Sequence, residues 1–159
     1  MQIRVGYGYD IHRLEAGRRF MLGGVDLGVS FGPVAHSDGD ALLHALCDAL
    51  LGAAALGDIG RHFPDTSEEF RGISSLELLE RTHRLLQADG WGVGNVDATV
   101  LLERPKIAPH KDAMVAAIAG CLNLDANAVS VKATTMESLD AIGEGRGVAA
   151  HVMTLIHRL

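Results

Sequence analysis

Aromatic side chains supply only 4% of this 159-residue chain, so a core of any size must rest on Ala, Leu, Val and Ile. Basic residues are outnumbered, with 14 Lys and Arg against 20 Asp and Glu and a formal charge of −6. A nucleic-acid surface, which normally needs a positive face, is therefore not expected. Small anionic substrates stay open, because metal ions and a few placed lysines reverse the field locally. Only Cys47 and Cys121 are present, without CxxC spacing. Both read as small apolar residues in a reducing compartment, not as a disulfide framework. No apolar run reaches the ~18 residues that a membrane span needs, and Met1-Gln2-Ile3-Arg4-Val5 shows no basic-then-apolar leader. The expected setting is cytoplasmic, with no membrane or nucleic-acid partner. A Walker sequence is missing too. Gly143-Glu144-Gly145-Arg146-Gly147 has no strand–turn–helix frame and is not a dinucleotide fingerprint.

What is present is 48% hydrophobic and 21% charged residues, the balance of a folded protein, at a length that suits one domain over residues 1–159. Residues 3–10 alternate as a strand, with Ile3, Val5, Tyr7 and Tyr9 on one face. Gly6, Gly8 and Asp10 share the other face, where a close backbone approach is expected. Phe20–Leu22 and Val25–Val29 read as short strands broken by Gly23-Gly24. The spacing predicts a helix over 38–55, with Leu42, Leu46 and Leu50 on one stripe and Asp40, His44 and Asp48 on another. Ser37 or Asp38 is its expected cap. Residues 57–73 read as a long loop, Ser74–Ala88 as a helix capped by Ser74 or Ser75, and Val93–Glu103 as a strand. A helix over 110–122, a strand over Val129–Thr134 and a strand or short helix over Val148–His157 complete the chain. The expected fold is an α/β (α+β) layer structure, a mixed four-stranded sheet plus short hairpin strands with helices on one face.

The candidate chemistry starts at Asp10-Ile11-His12. An Asp-x-His pair at a strand end points both side chains to one face, and His44 from the helix could close three corners of a tetrahedron. Three protein ligands with an open fourth position is the layout of a catalytic zinc site; the plainer reading is a pair of satisfied surface histidines. A carboxylate one turn from His44 could orient its ring. His62, His83, His110, His151 and His157 show no ligand-like arrangement. His36-Ser37 precedes the helix, where free N–H groups favour either an anion or an ordinary cap. Asp58, between glycines, either faces a cleft or bonds its own turn. Lys132 to Glu137 leaves a strand with a cation, two hydroxyls and a carboxylate, which suits a phosphate and Mg²⁺ or a plain polar turn. Glu103-Arg104-Pro105-Lys106 similarly sets cations beside a stiffened turn.

Together, Gly8-Tyr9-Asp10-Ile11-His12, Ala35-His36-Ser37-Asp38-Gly39-Asp40, Leu50 through Gly60, Phe63-Pro64-Asp65-Thr66, Asn95-Val96-Asp97, Pro105-Lys106 and Lys132-Ala133-Thr134-Thr135 resemble the 2-C-methyl-D-erythritol 2,4-cyclodiphosphate synthase family of non-mevalonate isoprenoid biosynthesis, from Gly6 to about Ile156. The resemblance implies a homotrimer with active sites shared between subunits. It implies Zn²⁺, one per subunit, on Asp10, His12 and His44, and Mg²⁺ or Mn²⁺ with the substrate diphosphate on Glu137. By the same likeness, His36 and Thr135 stabilise the transition state. Asp10 and His12 also face the substrate, with His36, Ser37, Asp58, Gly60, Phe63, Pro64, Asp65, Thr66 and Ser67 around the methylerythritol phosphate. Leu102, Glu103, Arg104, Pro105, Lys106, Ile107 and Ala108 of a neighbouring subunit hold the cytidine diphosphate. Ala133, Thr134, Thr135, Met136 and Glu137 lie against its phosphates.

The implied reaction is a CMP-releasing cyclisation by a phosphorus-oxygen lyase: the 2-phosphate of 4-diphosphocytidyl-2-C-methyl-D-erythritol 2-phosphate attacks the β-phosphorus. A zinc-dependent phosphohydrolase acting on a nucleotide-diphosphate substrate is the alternative. One stretch departs from the family pattern Leu-Gly-Phe-Thr-Gly-Arg-x-Glu-Gly and reads Leu139-Asp140-Ala141-Ile142-Gly143-Glu144-Gly145-Arg146-Gly147. There the aromatic is replaced by Ala141, and the Arg and Glu exchange places.

Overall fold

Alternation through the first residues builds a longer strand than the pattern suggested. In the computed structural model, which describes residues 2–159, β1 spans Ile3–Ala16. Asp10 and His12 therefore lie within the strand and not at its end. After it, β2 (Met21–Leu22) and β3 (Val25–Asp26) form a hairpin shorter than the expected Val25–Val29. Then β4 (Phe31–Pro33) pairs antiparallel with the far end of β1, Leu14 opposite Pro33. This strand went unread because three residues containing Gly and Pro carry no alternation. It sits at the sheet edge, where a proline is tolerated.

The sheet consequently has five strands, not four, in the order β4-β1-β7-β5-β6, with β5 spanning Trp91–Leu101, β6 Val129–Thr134 and β7 Gly147–Arg158. The last segment is a strand throughout. Only β5 and β6 run parallel. A parallel pair needs a long crossover, and here it contains a helix over Lys111–Leu122.

The helices pack on one face. α1 (Ala41–Ala53) lies across β1, β7 and β5, and Leu42, Leu43, Leu46, Leu50 and Leu51 are fully buried. A short α2 (Ile59–His62) and a 3₁₀ turn at Glu68–Phe70 interrupt what was expected to be one long loop over 57–73. α3 (Ser75–Ala88) packs on α1, and α4 (Lys111–Leu122) packs on α3 and β6. α5 (Asp140–Gly143) leads into β7. Leu79, Leu86, Trp91, Met114 and Ile118 fill the space between these layers. The other face of β1 is bare: Ile3, Val5, Tyr7, Tyr9 and Ile11 are exposed, with Val5 at 63%. No helix among the described residues is long and apolar enough to cross a membrane.

Candidate metal centre and flanking clefts

Two glycines bring the ligands together. Gly6 and Gly8 point at α1, and a Cβ on either would overlap a helix carbonyl oxygen, that of Ala49 or Ala45. Ala45 and Ala49, one turn apart, present the smallest helical surface to the bare strand backbone. The close approach expected at these glycines is thus that of α1 itself, and it carries His44 to the strand face of Asp10 and His12.

His12 Nε2, His44 Nδ1 and Asp10 Oδ2 form a triangle with sides of 3.2, 3.1 and 2.9 Å. Three ligands about 2.0–2.1 Å from a tetrahedral zinc stand roughly 3.3–3.4 Å apart, so the donor set fits such an ion in type and spacing. It is the one cluster of three His, Cys, Asp or Glu residues able to hold a metal among the described residues. Burial pushes the Asp10 carboxyl up, but hydrogen bonds from His12 and His44 outweigh it and bring it down to about 2. Burial depresses His44, yet the hydrogen bond and charge of Asp10, with Asp40 and Asp38 beyond, raise it above the ordinary histidine range.

The ring of His44 is oriented by partners the sequence did not suggest. Its Nε2 lies 3.1 Å from Ser37 Oγ and 2.9 Å from Ser75 Oγ. Asp40 and Asp48, expected to orient it, are engaged elsewhere. Asp40 is the true cap of α1, in place of Ser37 or Asp38, and accepts from Leu43 N, Gly23 N and Gly24 N at 3.0, 2.9 and 2.7 Å. Asp48 accepts from Ile59 N at 2.7 Å and anchors α2. Ser74 occupies the cap position of α3 without a side-chain bond, and Ser75 turns inward to Asp38.

A cleft of about 390 Å³ opens beside the triangle. It gathers His12, His36, Ser37, His44, Gly60, Phe63 and Asp65, and adds Ala35, Ile59, Phe70, Ile73 and Leu78 as an apolar wall not foreseen. His36 Nε2 donates to the Ser67 carbonyl at 3.1 Å, which ties the loop to the cleft rim. Pro64 and Thr66 are exposed and do not line the cleft. Asp58 is exposed as well and caps α2 by accepting from Arg61 N at 2.9 Å.

A second cavity of about 360 Å³ is lined by Leu102, Pro105, Lys106, Ile107, Ala108, Ala133, Thr134 and Thr135. Lys111 joins them. Its signal in the sequence was a cation at a helix N-terminus, the end where the helix dipole disfavours positive charge. Neither lysine has an acidic partner among the described residues. Glu103 turns away to accept from Met136 N at 3.1 Å, and Arg104 packs by Gly145, so neither lines the cavity. Thr135 Oγ1 donates to Glu137 Oε1 at 3.1 Å. One exposed carboxylate there suits Mg²⁺ held mainly by substrate phosphates. In the altered stretch, Glu144 pairs with Arg146 at 2.7 Å, so the exchanged charges still neutralise each other.

Residues 3–157 match the model of the YgbB family. The chain is 56% identical to the 2-C-methyl-D-erythritol 2,4-cyclodiphosphate synthase of Desulfosudis oleivorans, over 97% of this chain and 92% of that protein. Among solved structures, it superposes on the bifunctional IspDF of Campylobacter jejuni with a TM-score of 0.96 at 40% identity, over 99% of this chain. It spans 43% of that longer chain. It also superposes on the CDP complex of IspF from Plasmodium falciparum with a TM-score of 0.86 at 33% identity, over 98% of this chain and 96% of that one.

Proposed function

The chain belongs to the YgbB family, and from that premise we propose that it converts 4-diphosphocytidyl-2-C-methyl-D-erythritol 2-phosphate to 2-C-methyl-D-erythritol 2,4-cyclodiphosphate and CMP. A 2-phosphate oxygen bonds to the β-phosphorus, and the bond from that phosphorus to the oxygen bridging the α-phosphate breaks. The nucleophile is internal to the substrate, so the protein need only hold the two phosphates in line, which supplies roughly 7–11 kcal/mol in well-aligned intramolecular reactions.

The observation that carries this reading is the Asp10–His12–His44 triangle opening onto a cleft of about 390 Å³. These three residues would hold one Zn²⁺ and Glu137 one Mg²⁺ or Mn²⁺, ions that supply positive charge to the phosphate oxygens when bound. His36 and Ser37 then line the path of the 2-phosphate end. Phe63 and the apolar wall keep bulk water from the carbon skeleton. Asp58, Gly60 and residues 64–67 form the rim. Lys106, Lys111, Thr134 and Thr135 offer cations and hydroxyls for the nucleotide diphosphate, and Thr135 with His36 is assigned to the charge that develops at the transferred phosphorus. The CDP complex of the Plasmodium falciparum relative supports a cytidine diphosphate ligand.

The two cavities share no lining residue. The family resemblance implies that the second is supplied by a neighbouring copy, and the exposed apolar face of β1 offers a surface for that association. On the strength of the family resemblance, we assign a homotrimer with active sites between subunits, acting in the cytoplasm. Phosphorus NMR of the protein with this substrate, Zn²⁺ and Mg²⁺ tests the reaction. CMP and a cyclic diphosphate are expected; inorganic phosphate in their place would favour a zinc-dependent phosphohydrolase.

A further inference from the structure

Of the groups around the triangle, Ser75 is the one whose hydroxyl hydrogen has a set destination. It is fully buried at the first turn of α3. Its Oγ donates to Asp38 Oδ1, and its backbone N–H donates to Asp38 Oδ2 at 2.9 Å. A carboxylate accepts only, so the hydroxyl hydrogen is committed to Asp38. The same Oγ lies 2.9 Å from His44 Nε2 and can meet it only as an acceptor. Nε2 must then carry the hydrogen. Ser37 Oγ, 3.1 Å from the same nitrogen, is compatible with this and itself accepts from Gly39 N at 3.2 Å.

Resting on the metal reading above, we infer that Ser75, held by Asp38, is a positioning residue that keeps the hydrogen of His44 on Nε2. With a metal ion in place of the hydrogen that Nδ1 shares with Asp10, Nδ1 is thereby left free to offer its lone pair to that ion. A neutral imidazole has one N–H and one acceptor nitrogen, and a ligating histidine is normally fixed by a partner on its other nitrogen. Here that partner is a serine that relays a carboxylate. The two residues come from the segment before α1 and the start of α3, so the relay also ties the ligand helix to its neighbour.

Asp38→Asn separates this role from simple packing. With the amide oxygen kept on the Ser75 backbone N–H, the NH₂ is directed at Ser75 Oγ and gives up the longer bond that Asp40 N makes to Asp38 Oδ1 at 3.3 Å. The hydroxyl hydrogen then turns toward Nε2 and demands the tautomer with hydrogen on Nδ1. Zinc affinity, measured by competition with a chelating dye, is expected to fall about tenfold in Ser75→Ala, as for other partners of metal-bound histidines, and further in Asp38→Asn. Proton NMR of the zinc-loaded wild type, with ¹⁵N-labelled histidine, is expected to show an exchange-protected Nε2–H on His44. That measurement needs no variant to fold. Absence of the Nε2–H signal, or both variants binding zinc within about twofold of wild type, would overturn the relay while leaving the metal site standing. A wild type that takes up no zinc would overturn both.

Discussion

His12 Nε2 and His44 Nδ1 stand 3.2 Å apart, although one leaves strand β1 and the other helix α1. Their meeting depends on residues that have no chemistry of their own. The helix can lie this close only because Gly6 and Gly8 leave the strand backbone bare beneath Ala45 and Ala49.

Gly8→Ala is therefore expected to be severe. Its Cβ would overlap the Ala45 carbonyl, which belongs to the helix backbone and cannot rotate away. Overpacking of this kind costs about 3 kcal/mol at the upper end of its usual range. Thermal denaturation checks the loss, and a chelator competition should show weakened zinc binding as His44 is pushed off. A variant with unchanged melting temperature and zinc affinity would mean that the contact is soft.

Asp40→Ala should destabilise the fold far more than Asp48→Ala. Asp40 is fully buried and accepts from three backbone N–H groups, at 2.7, 2.9 and 3.0 Å. Each donor left unsatisfied costs about 1–3 kcal/mol. Asp48 accepts from one, Ile59 N, so its removal should cost about 1 kcal/mol. Urea unfolding of the two variants gives the comparison, and equal losses would contradict it.

The metal centre was legible in part: strand alternation put Asp10 and His12 on one face and helical spacing put His44 on a polar stripe, while the family resemblance joined the three as a ligand set. Its support was not. Ser74 and Ser75 both look like helix caps, and only tertiary packing shows that Ser75 turns inward to Asp38 and His44. The same holds for Asp40, read as a polar-stripe residue though its partners lie in the Gly23-Gly24 turn. β4 escaped because three residues carry no period, and β1 was read short because its last residues alternate without strong apolar contrast. For the second cavity the resemblance named Leu102, Pro105 to Ala108 and Ala133 to Thr135, but also Glu103, Arg104, Met136 and Glu137, which do not line it. It missed Lys111, whose place depends on where α4 begins.

In protein stripped of metal, the triangle should stabilise the fold over a bounded pH window. Asp10 is held at about 2, below its ordinary 3.8, so its contribution is full above 3.8 and is lost as the pH falls toward 2. His44 is raised above its ordinary 6.5, so its contribution is full below 6.5 and is lost as the pH rises through the raised value. The difference in melting temperature between wild type and Asp10→Asn should peak between these limits. A difference that grows steadily above pH 8 would contradict the assignment.

Loss of a hydroxyl should matter less than loss of charge. Thr135→Ala removes a hydrogen bond to a charged group, worth about 1.5–3 kcal/mol, or roughly ten- to 150-fold in rate. Removing either metal takes away neutralisation of two facing phosphates, worth several kcal/mol. Steady-state rates of Thr135→Ala and of chelated wild type, assayed side by side, should differ by at least tenfold, with the chelated enzyme slower.

The role given to Asp10, His12 and His44 is tested most directly by measuring zinc content and CMP release together in wild type and in His44→Ala. We expect one Zn²⁺ per chain and turnover in the wild type, with both lost in His44→Ala to the level of chelated wild type. CMP release by zinc-free His44→Ala within tenfold of wild type would show that the reaction does not run through this centre.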